Sequence, residues 1–484
     1  MNTLKEIVIS CVILHLSIIN IQAFEIQTRC LLSKIESNDG QVGFCVYDAS
    51  HRRFIIDYHS NDPFPPASLE KLVITILLLG KLGSDFRFQT RILSEGRVRE
   101  GELSGDLILV GSGDPTLGTA SLEKLARRIR DSGIVHVKGD LIFDDSFFRP
   151  AMAKGWPENR HADPYLAPSS ALSLNYNTVQ VSLQGDEIAG TNVTFDPPRS
   201  ISKVIDTASG ERLPSFLWTS NGWLAVSGGN RNHQSYRRRI SVATPSFYTA
   251  TVLKQQLEKV GITIKGSIRR GHADRGTPIA EITSVPLPEI LAKMNKYSNN
   301  FIAEQLRHTL EKKCNAPIQD LTISFLKAHH IQADALNLKD GAGLSRFNSV
   351  TPEILAHIFI AAIQDESYGP SFIRTLSTLA ESPIYHAWGI NVPAKPEIRI
   401  KSGHLPDSYN MAGLVGAPEK GLLFVFMMEK QAVQQGTIKN VTEDVLNQLI
   451  ALQKNVKEPE EIVHDKADPV RKFAVHNAVC NTSL

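Results

Sequence analysis

Cysteine is scarce in this chain. There are five in 484 residues, with no Cys-x-x-Cys pair and no Cys/His spacing that would hold zinc. Cys11 lies in the N-terminal segment, leaving Cys30, Cys45, Cys314 and Cys480. In an oxidising compartment Cys30 and Cys45 can pair, although their separation in sequence does not establish the geometry. An excess of one charge is also missing: 52 basic against 50 acidic side chains leave a net +2. That balance gives no overall pull toward nucleic acid or an anionic membrane. The one basic cluster, Arg237-Arg238-Arg239, reads as a solvated turn rather than an anion site. Beyond the N-terminus no apolar run approaches the length of a membrane span, so at most peripheral membrane association is expected. There is no internal repeat to suggest a solenoid.

What the N-terminus does contain is Lys5, an apolar stretch over 7–19 interrupted by His15, and then Ile21-Gln22-Ala23. A basic start, a short apolar core and a small residue at a cut point describe a secretory signal over 1–23. An uncleaved anchor is the alternative. The expected location is therefore the periplasm or another extracytoplasmic part of the cell envelope.

The remaining length accommodates two or three domains. Residues 42–47 and 54–58 read as adjoining strands joined by the turn Asp48-Ala49-Ser50-His51. After Pro65-Pro66-Ala67 a helix over 68–79 is apolar nearly all round, which places it inside the protein. From 85 to 284 the texture changes to short alternating segments broken by Gly, Asp and Pro, with helices over 121–131 and 248–260. Helical periodicity returns over 287–312 and 319–329. A three-strand antiparallel meander over 397–429 follows, turning at Leu405-Pro406-Asp407-Ser408. A last amphipathic helix spans 439–452, and the polar tail from 456 to 484 is expected to be disordered or to wander over the surface. The pattern is one α/β (α+β) domain, residues 24–84 and 285–455, interrupted by a strand-rich insertion over 85–284.

Three short elements carry chemistry. Ser68-Leu69-Glu70-Lys71 opens the buried helix, and residues three apart share a helix face, so the ammonium can reach the hydroxyl. A serine hydroxyl needs a base, and a lysine serves if burial or nearby positive charge lowers its pKa. The spacing recurs at Ser121-Leu122-Glu123-Lys124 and at Ser200-Ile201-Ser202-Lys203. Leu122, Leu125, Ala126 and Ile129 mark an amphipathic surface helix that Ser121 is placed to cap, while Ser200 sits in a polar loop. Ser298-Asn299-Asn300 can relay a proton and bind an amide. Ser173-Leu174-Asn175 shares its spacing but reads as an ordinary strand. Lys401-Ser402-Gly403 lies on a strand whose alternation puts Arg399, Lys401 and Gly403 on one face, and its glycine admits close approach of a substrate.

Each element alone is unremarkable; in this order they match the Ser-x-x-Lys, Ser-x-Asn, Lys-Thr-Gly set of penicillin-interacting enzymes. The long gap from Ser68 to Ser298 resembles the D-alanyl-D-alanine carboxypeptidase/endopeptidases, the class C low-molecular-mass penicillin-binding proteins. Gly111-Ser112-Gly113-Asp114-Pro115 and Asp340-Gly341-Ala342-Gly343-Leu344-Ser345 are similar to further segments of that family, and Phe301-Ile302-Ala303-Glu304 follows Asn300 as expected there. By their own chemistry Asp114-Pro115, Gly341 and Gly343 are turn residues. Tyr297-Ser298-Asn299 also fits the Tyr-x-Asn pattern of a β-lactamase class, but the Asn-x-x-Ala-Glu continuation favours Ser298 and Asn300.

The resemblance implies a penicillin-binding/serine β-lactamase-like catalytic domain, an antiparallel sheet flanked by helices. It implies acyl transfer on peptidoglycan stem peptides, with β-lactams as inhibitors and no metal or organic cofactor. Ser68 is then the nucleophile, Lys71 its base and Ser298 the proton relay. Asn300, Lys401, Ser402 and Gly403 bind substrate, and the backbone N–H of His404 joins that of Ser68 in the oxyanion hole. His404 stands where the family usually has a small hydroxyl residue, and Ser402 replaces the commoner threonine. A β-lactamase-like hydrolase and a non-catalytic peptidoglycan-binding envelope protein are the alternatives.

Overall fold

The computed structural model describes residues 28–455, apart from 34, 37–39, 153–154, 157–161, 184–192, 199–200, 202–203, 207–213, 220–223, 228–235 and 432. The expected signal segment, Ala23, Cys11, the tail with Cys480, and Ser200, Ser202 and Lys203 lie outside the described residues. Among those described, no helix is long and apolar enough to cross a membrane.

Strand β1 (Gly40–Asp48) turns back into β2 (Arg53–Tyr58) through a turn in which the Asp48 carboxylate accepts the Ser50 N–H at 2.9 Å. Helix α1 (Glu70–Leu82) follows, and every residue from Glu70 to Leu79 is buried. It ends at Gly83, whose φ of +79° permits the reversed backbone and whose N–H returns to the Leu79 carbonyl at 3.0 Å. Burying each of its Leu and Ile side chains contributes roughly 1.5–3 kcal/mol.

The chain then builds a five-stranded sheet from β3 (Gln89–Ser94), β4 (Leu107–Val110), β5 (Leu141–Asp144), β9 (Ile268–Arg270) and β10 (Thr277–Thr283), in the order β9-β5-β4-β3-β10. Helices α2 (Thr119–Asp131) and α3 (Pro245–Lys259) pack on it. A three-stranded sheet, β6 (Thr178–Leu183) between β7 (Val193–Asp196) and β8 (Tyr236–Ser241), joins the same apolar core.

After β10 come α4 (Leu287–Lys296), α5 (Asn300–Cys314), α6 (Ile318–Ala328), α7 (Pro352–Gln364) and α8 (Gly369–Thr375). The short β11 (Ser377–Thr378) and helix α9 (Pro383–Ala387) lead into the meander β12 (Ile398–Leu405), β13 (Ser408–Val415) and β14 (Leu422–Lys430). These strands complete an antiparallel six-stranded sheet with the first two, ordered β11-β12-β13-β14-β1-β2. One face packs on α1, α4, α5, α7 and α8. The other packs on α10 (Gln435–Asn455), where Ile438, Val445 and Leu449 meet Phe44, Phe424 and Met411. An antiparallel sheet flanked by helices is thus the frame of the site.

Several local expectations are corrected. Arg237–Arg239 belong to strand β8, where pairing with β6 extends the backbone; Arg238 reaches Asp163 and Arg239 the Thr178 hydroxyl. Ser173-Leu174-Asn175 is not a strand: Asn175 begins a single 3-10 turn, and its side-chain oxygen accepts the Thr119 N–H at 3.2 Å. Helix α2 therefore starts two residues before Ser121, with Gly118 at the cap position. Cys30 and Cys45 are not joined; Cys30 is exposed and Cys45 is buried in β1. The helical stretch over 287–312 is two helices, broken at Tyr297-Ser298-Asn299.

Candidate active site

The break between α4 and α5 and the start of α1 face one another beneath β12. Ser68 occupies a 3-10 turn, Ala67–Leu69, that runs directly into α1. Ala67 holds φ at +47°, a left-handed conformation uncommon outside glycine, so the nucleophile candidate sits just after a strained residue. One turn on, the Lys71 ammonium donates to Ser68 Oγ at 2.8 Å, to Asn300 Oδ1 at 3.0 Å and to the Ala342 carbonyl at 2.7 Å. Burial holds the Lys71 amine down, to about 8, against the opposing pull of Asp340, Glu70 and Glu304.

Ser298 is the residue that breaks the helix pair, at φ +49°. Asn299 caps α5 by accepting the Ile302 N–H at 2.8 Å, which leaves its neighbours to face the site. Ser298 Oγ accepts from Lys401 Nζ at 3.0 Å, and Asn300 Nδ2 donates to the Tyr165 carbonyl at 3.3 Å. Tyr297 is 61% exposed, and its partner in the Tyr-x-Asn pattern, Asn299, is spent on the cap. The Ser298/Asn300 pairing is thus the one that touches both lysines.

Lys401 is buried on β12, and burial together with the neighbouring Lys71 pushes it well below the ordinary lysine range. Two neighbouring ammonium groups disfavour double protonation. Ser402 alternates to the other face of β12, the side of Ile398, Ile400 and Tyr385, and is buried there. Gly403 presses on the nucleophile turn: a Cβ there would lie 2.7 Å from Ser68 N and 3.0 Å from the Pro66 carbonyl, so no side chain fits. His404 is exposed, its ring edge-on to Trp388 with centroids 6.3 Å apart. Burial lowers its pKa, opposed by a hydrogen bond to the Val433 backbone. The outer edge of β12 pairs with β11 only at Arg399 and Ile400, so from Lys401 onward it is open to an added strand.

The structure therefore brings Ser68, Lys71, Ser298, Asn300, Lys401 and Gly403 into one cluster. Sequence reasoning missed the Ala342 carbonyl as a partner of Lys71, because a backbone acceptor has no residue signature. It also missed two contacts from the strand-rich region, Trp156 Nε1 to Asp340 and the Tyr165 carbonyl to Asn300.

Residues 29–449 match the D-Ala-D-Ala carboxypeptidase 3 (S13) family. The chain is 26% identical over 395 residues to the D-alanyl-D-alanine carboxypeptidase DacB of Haemophilus influenzae, covering 77% of this chain and 82% of that one. It is 26% identical over 428 residues to the D-alanyl-D-alanine carboxypeptidase of an Actinomadura species, covering 79% and 76%. Among solved structures, penicillin binding protein 4 from Haemophilus influenzae is similar at a TM-score of 0.75 and 25% identity, over 85% of this chain and 96% of that chain.

Proposed function

The chain belongs to the D-Ala-D-Ala carboxypeptidase 3 (S13) family, and on that premise we propose that it cleaves D-alanyl-D-alanine peptides of peptidoglycan through an acyl-enzyme on Ser68. The observation that carries the reading is the continuous set of hydrogen bonds from Ser68 through Lys71 to Asn300, with Lys401 on Ser298 beside it. In this scheme Ser68 Oγ attacks the carbonyl of the penultimate D-Ala as its proton passes to neutral Lys71. A proton moves by way of Ser298 to the departing amine, while Asn300 holds the peptide amide. The backbone N–H groups of Ser68 and His404 stabilise the tetrahedral oxyanion, and water then hydrolyses the acyl-enzyme. A β-lactam presents its carbonyl where the peptide carbonyl sits, so it acylates the same serine.

Lys401 reads the free carboxylate next to the scissile bond. An arriving carboxylate restores charge to an amine that burial otherwise disfavours, and leaves Lys71 as the base. A cross-link between stem peptides can present an equivalent carboxylate, so the same contact serves carboxypeptidase and endopeptidase cleavage. The N-terminal pattern over 1–23 supports export, which fits a substrate found outside the cytoplasm.

The test compares a D-Ala-D-Ala peptide with its C-terminal amide, on wild type and on Lys401→Met. Wild type is expected to prefer the free acid strongly. The substitution should lower kcat/KM for the acid by roughly ten- to a hundred-and-fifty-fold, the range of one charge-assisted hydrogen bond, and erase most of the preference. Equal cleavage of both peptides by wild type, or undiminished discrimination by the variant, would remove Lys401 from this role.

A further inference from the structure

Three carboxyl side chains are fully buried behind Lys71, and the acyl-transfer scheme uses none of them: Glu70, Glu304 and Asp340 are 0%, 2% and 0% exposed. Asp340 collects five donors. One oxygen accepts the Gly343 N–H at 2.9 Å and Asn348 Nδ2 at 2.7 Å; the other accepts the Leu344 and Ser345 N–H groups at 2.9 and 3.0 Å, and Trp156 Nε1. Glu304 accepts the Gly341 N–H and pairs with Arg307 at 2.9 Å. Ala342 lies between the two held amides, and its carbonyl is the 2.7 Å partner of Lys71. The loop cannot slide toward the nucleophile either. Gly343 has φ +80°, and a Cβ there would fall 1.7 Å from the Ala67 carbonyl.

We propose that Asp340, acting through the Ala342 carbonyl and supported by Glu304, is the positioning residue that aims Lys71 at Ser68. This rests on reading Lys71 as the base. The ammonium has three hydrogens and donates to three oxygens. When it loses one, the Ala342 carbonyl and Asn300 Oδ1 can only accept, so they keep the two remaining N–H bonds. The lone pair is left facing Ser68 Oγ, the one partner with a proton to give. A clamped carbonyl thus turns an amine on a flexible stem into an oriented base.

The charged groups around Lys71 are Glu70 on its own helix, Glu304 and Arg307 on α5, Asp340 on the loop and Lys401 on β12. Glu70 has no hydrogen bond on either oxygen. Burial and the neighbouring Asp340 and Glu304 carboxylates raise it well above the ordinary range. Asp340, Glu70 and Glu304 all favour the proton on Lys71, Asp340 most strongly, while burial raises Glu304 itself against the opposing pull of Arg307.

The test measures the rate of Ser68 acylation by a fluorescent penicillin between about pH 6 and 10, in wild type and Asp340→Asn, normalised to the fraction of chains that finally carry label. An amide in place of the carboxylate opposes at least one backbone N–H with another donor. The plateau rate is expected to fall roughly ten- to a hundred-and-fifty-fold. The acid limb should move to lower pH by about one unit or more, because a nearby anion no longer favours the ammonium. Glu304→Gln keeps an oxygen opposite Gly341 and covers the case in which Asp340→Asn does not fold; its limb should move the same way with a smaller loss of rate. A limb that stays in place in both variants, whether or not the rate falls, overturns the proposal. Label on a serine other than Ser68 in wild type would instead overturn the underlying assignment of the nucleophile.

Discussion

Lys71 links the chemistry of this site to a titration. A base that must be neutral gives kcat/KM an acid limb, and burial sets that limb at about 8. The same shift enters stability. The unfolded chain holds a proton on this lysine up to the ordinary value of 10.5, whereas the folded chain releases it near 8. Between those values the unfolded state binds more protons, so stability should rise with pH. Unfolding midpoints of wild type and Lys71→Met, compared at about pH 8 and pH 10, are expected to show wild type gaining relative to the variant. A gap that stays constant would mean the folded lysine keeps its proton. At this scale the sequence was legible where spacing encodes geometry: Ser68 and Lys71 lie three apart at a helix start, and their hydroxyl and amine meet. It was silent where a backbone group does the work. Nothing in Asp340-Gly341-Ala342-Gly343 beyond its turn residues announces a carbonyl aimed at a lysine.

Helix α1 shows how an element transmits sequence into a site. Its apolar face is all faces, so it forms the centre of the core on which the sheet and α4 to α8 pack. Leu78 is 0% exposed within it. Leu78→Ala should cost about 2–5 kcal/mol in denaturant unfolding, and a loss below 1 kcal/mol would contradict the packing. Helix periodicity found α1, α2, α3 and α10, and period-two alternation found β1, β2 and the meander. It ran straight through 297–299, because Lys296, Tyr297 and Asn299 are all compatible with a helix surface. The break comes from Ser298, in the left-handed region, and from Asn299, which starts α5 afresh by accepting the Ile302 N–H. Helices α7 and α8 escaped notice: the polar stripe of α7 is only Glu353, His357 and Gln364 among apolar residues, and α8 is a mere seven residues long. Ser121 was misjudged because α2 begins earlier, where the Asn175 side chain takes the Thr119 N–H.

Across the whole molecule, the six-stranded sheet draws its strands from 40–58 and 377–430, while residues 89–283 build sheets of their own. We take residues 85–284 as an insertion into the catalytic domain. Limited proteolysis should cut near its borders or in its loops before it cuts 71–79, and early cleavage within that helix would sink both the division and the buried core. The insertion is not a bystander, for Trp156 and Tyr165 touch Asp340 and Asn300. One measurement bears most directly on the central claim, that this S13 peptidase works through Ser68. Ser-x-x-Lys occurs four times in the chain, at Ser68, Ser121, Ser200 and Ser324, yet among the described residues only Ser68 opens a buried helix whose lysine bonds back to it. Incubation with benzylpenicillin, intact mass and peptide mapping should show a single adduct per chain, on the peptide holding Ser68, and none on Ser68→Ala. An adduct at Ser121 or Ser200, or acylation that survives Ser68→Ala, would contradict the account.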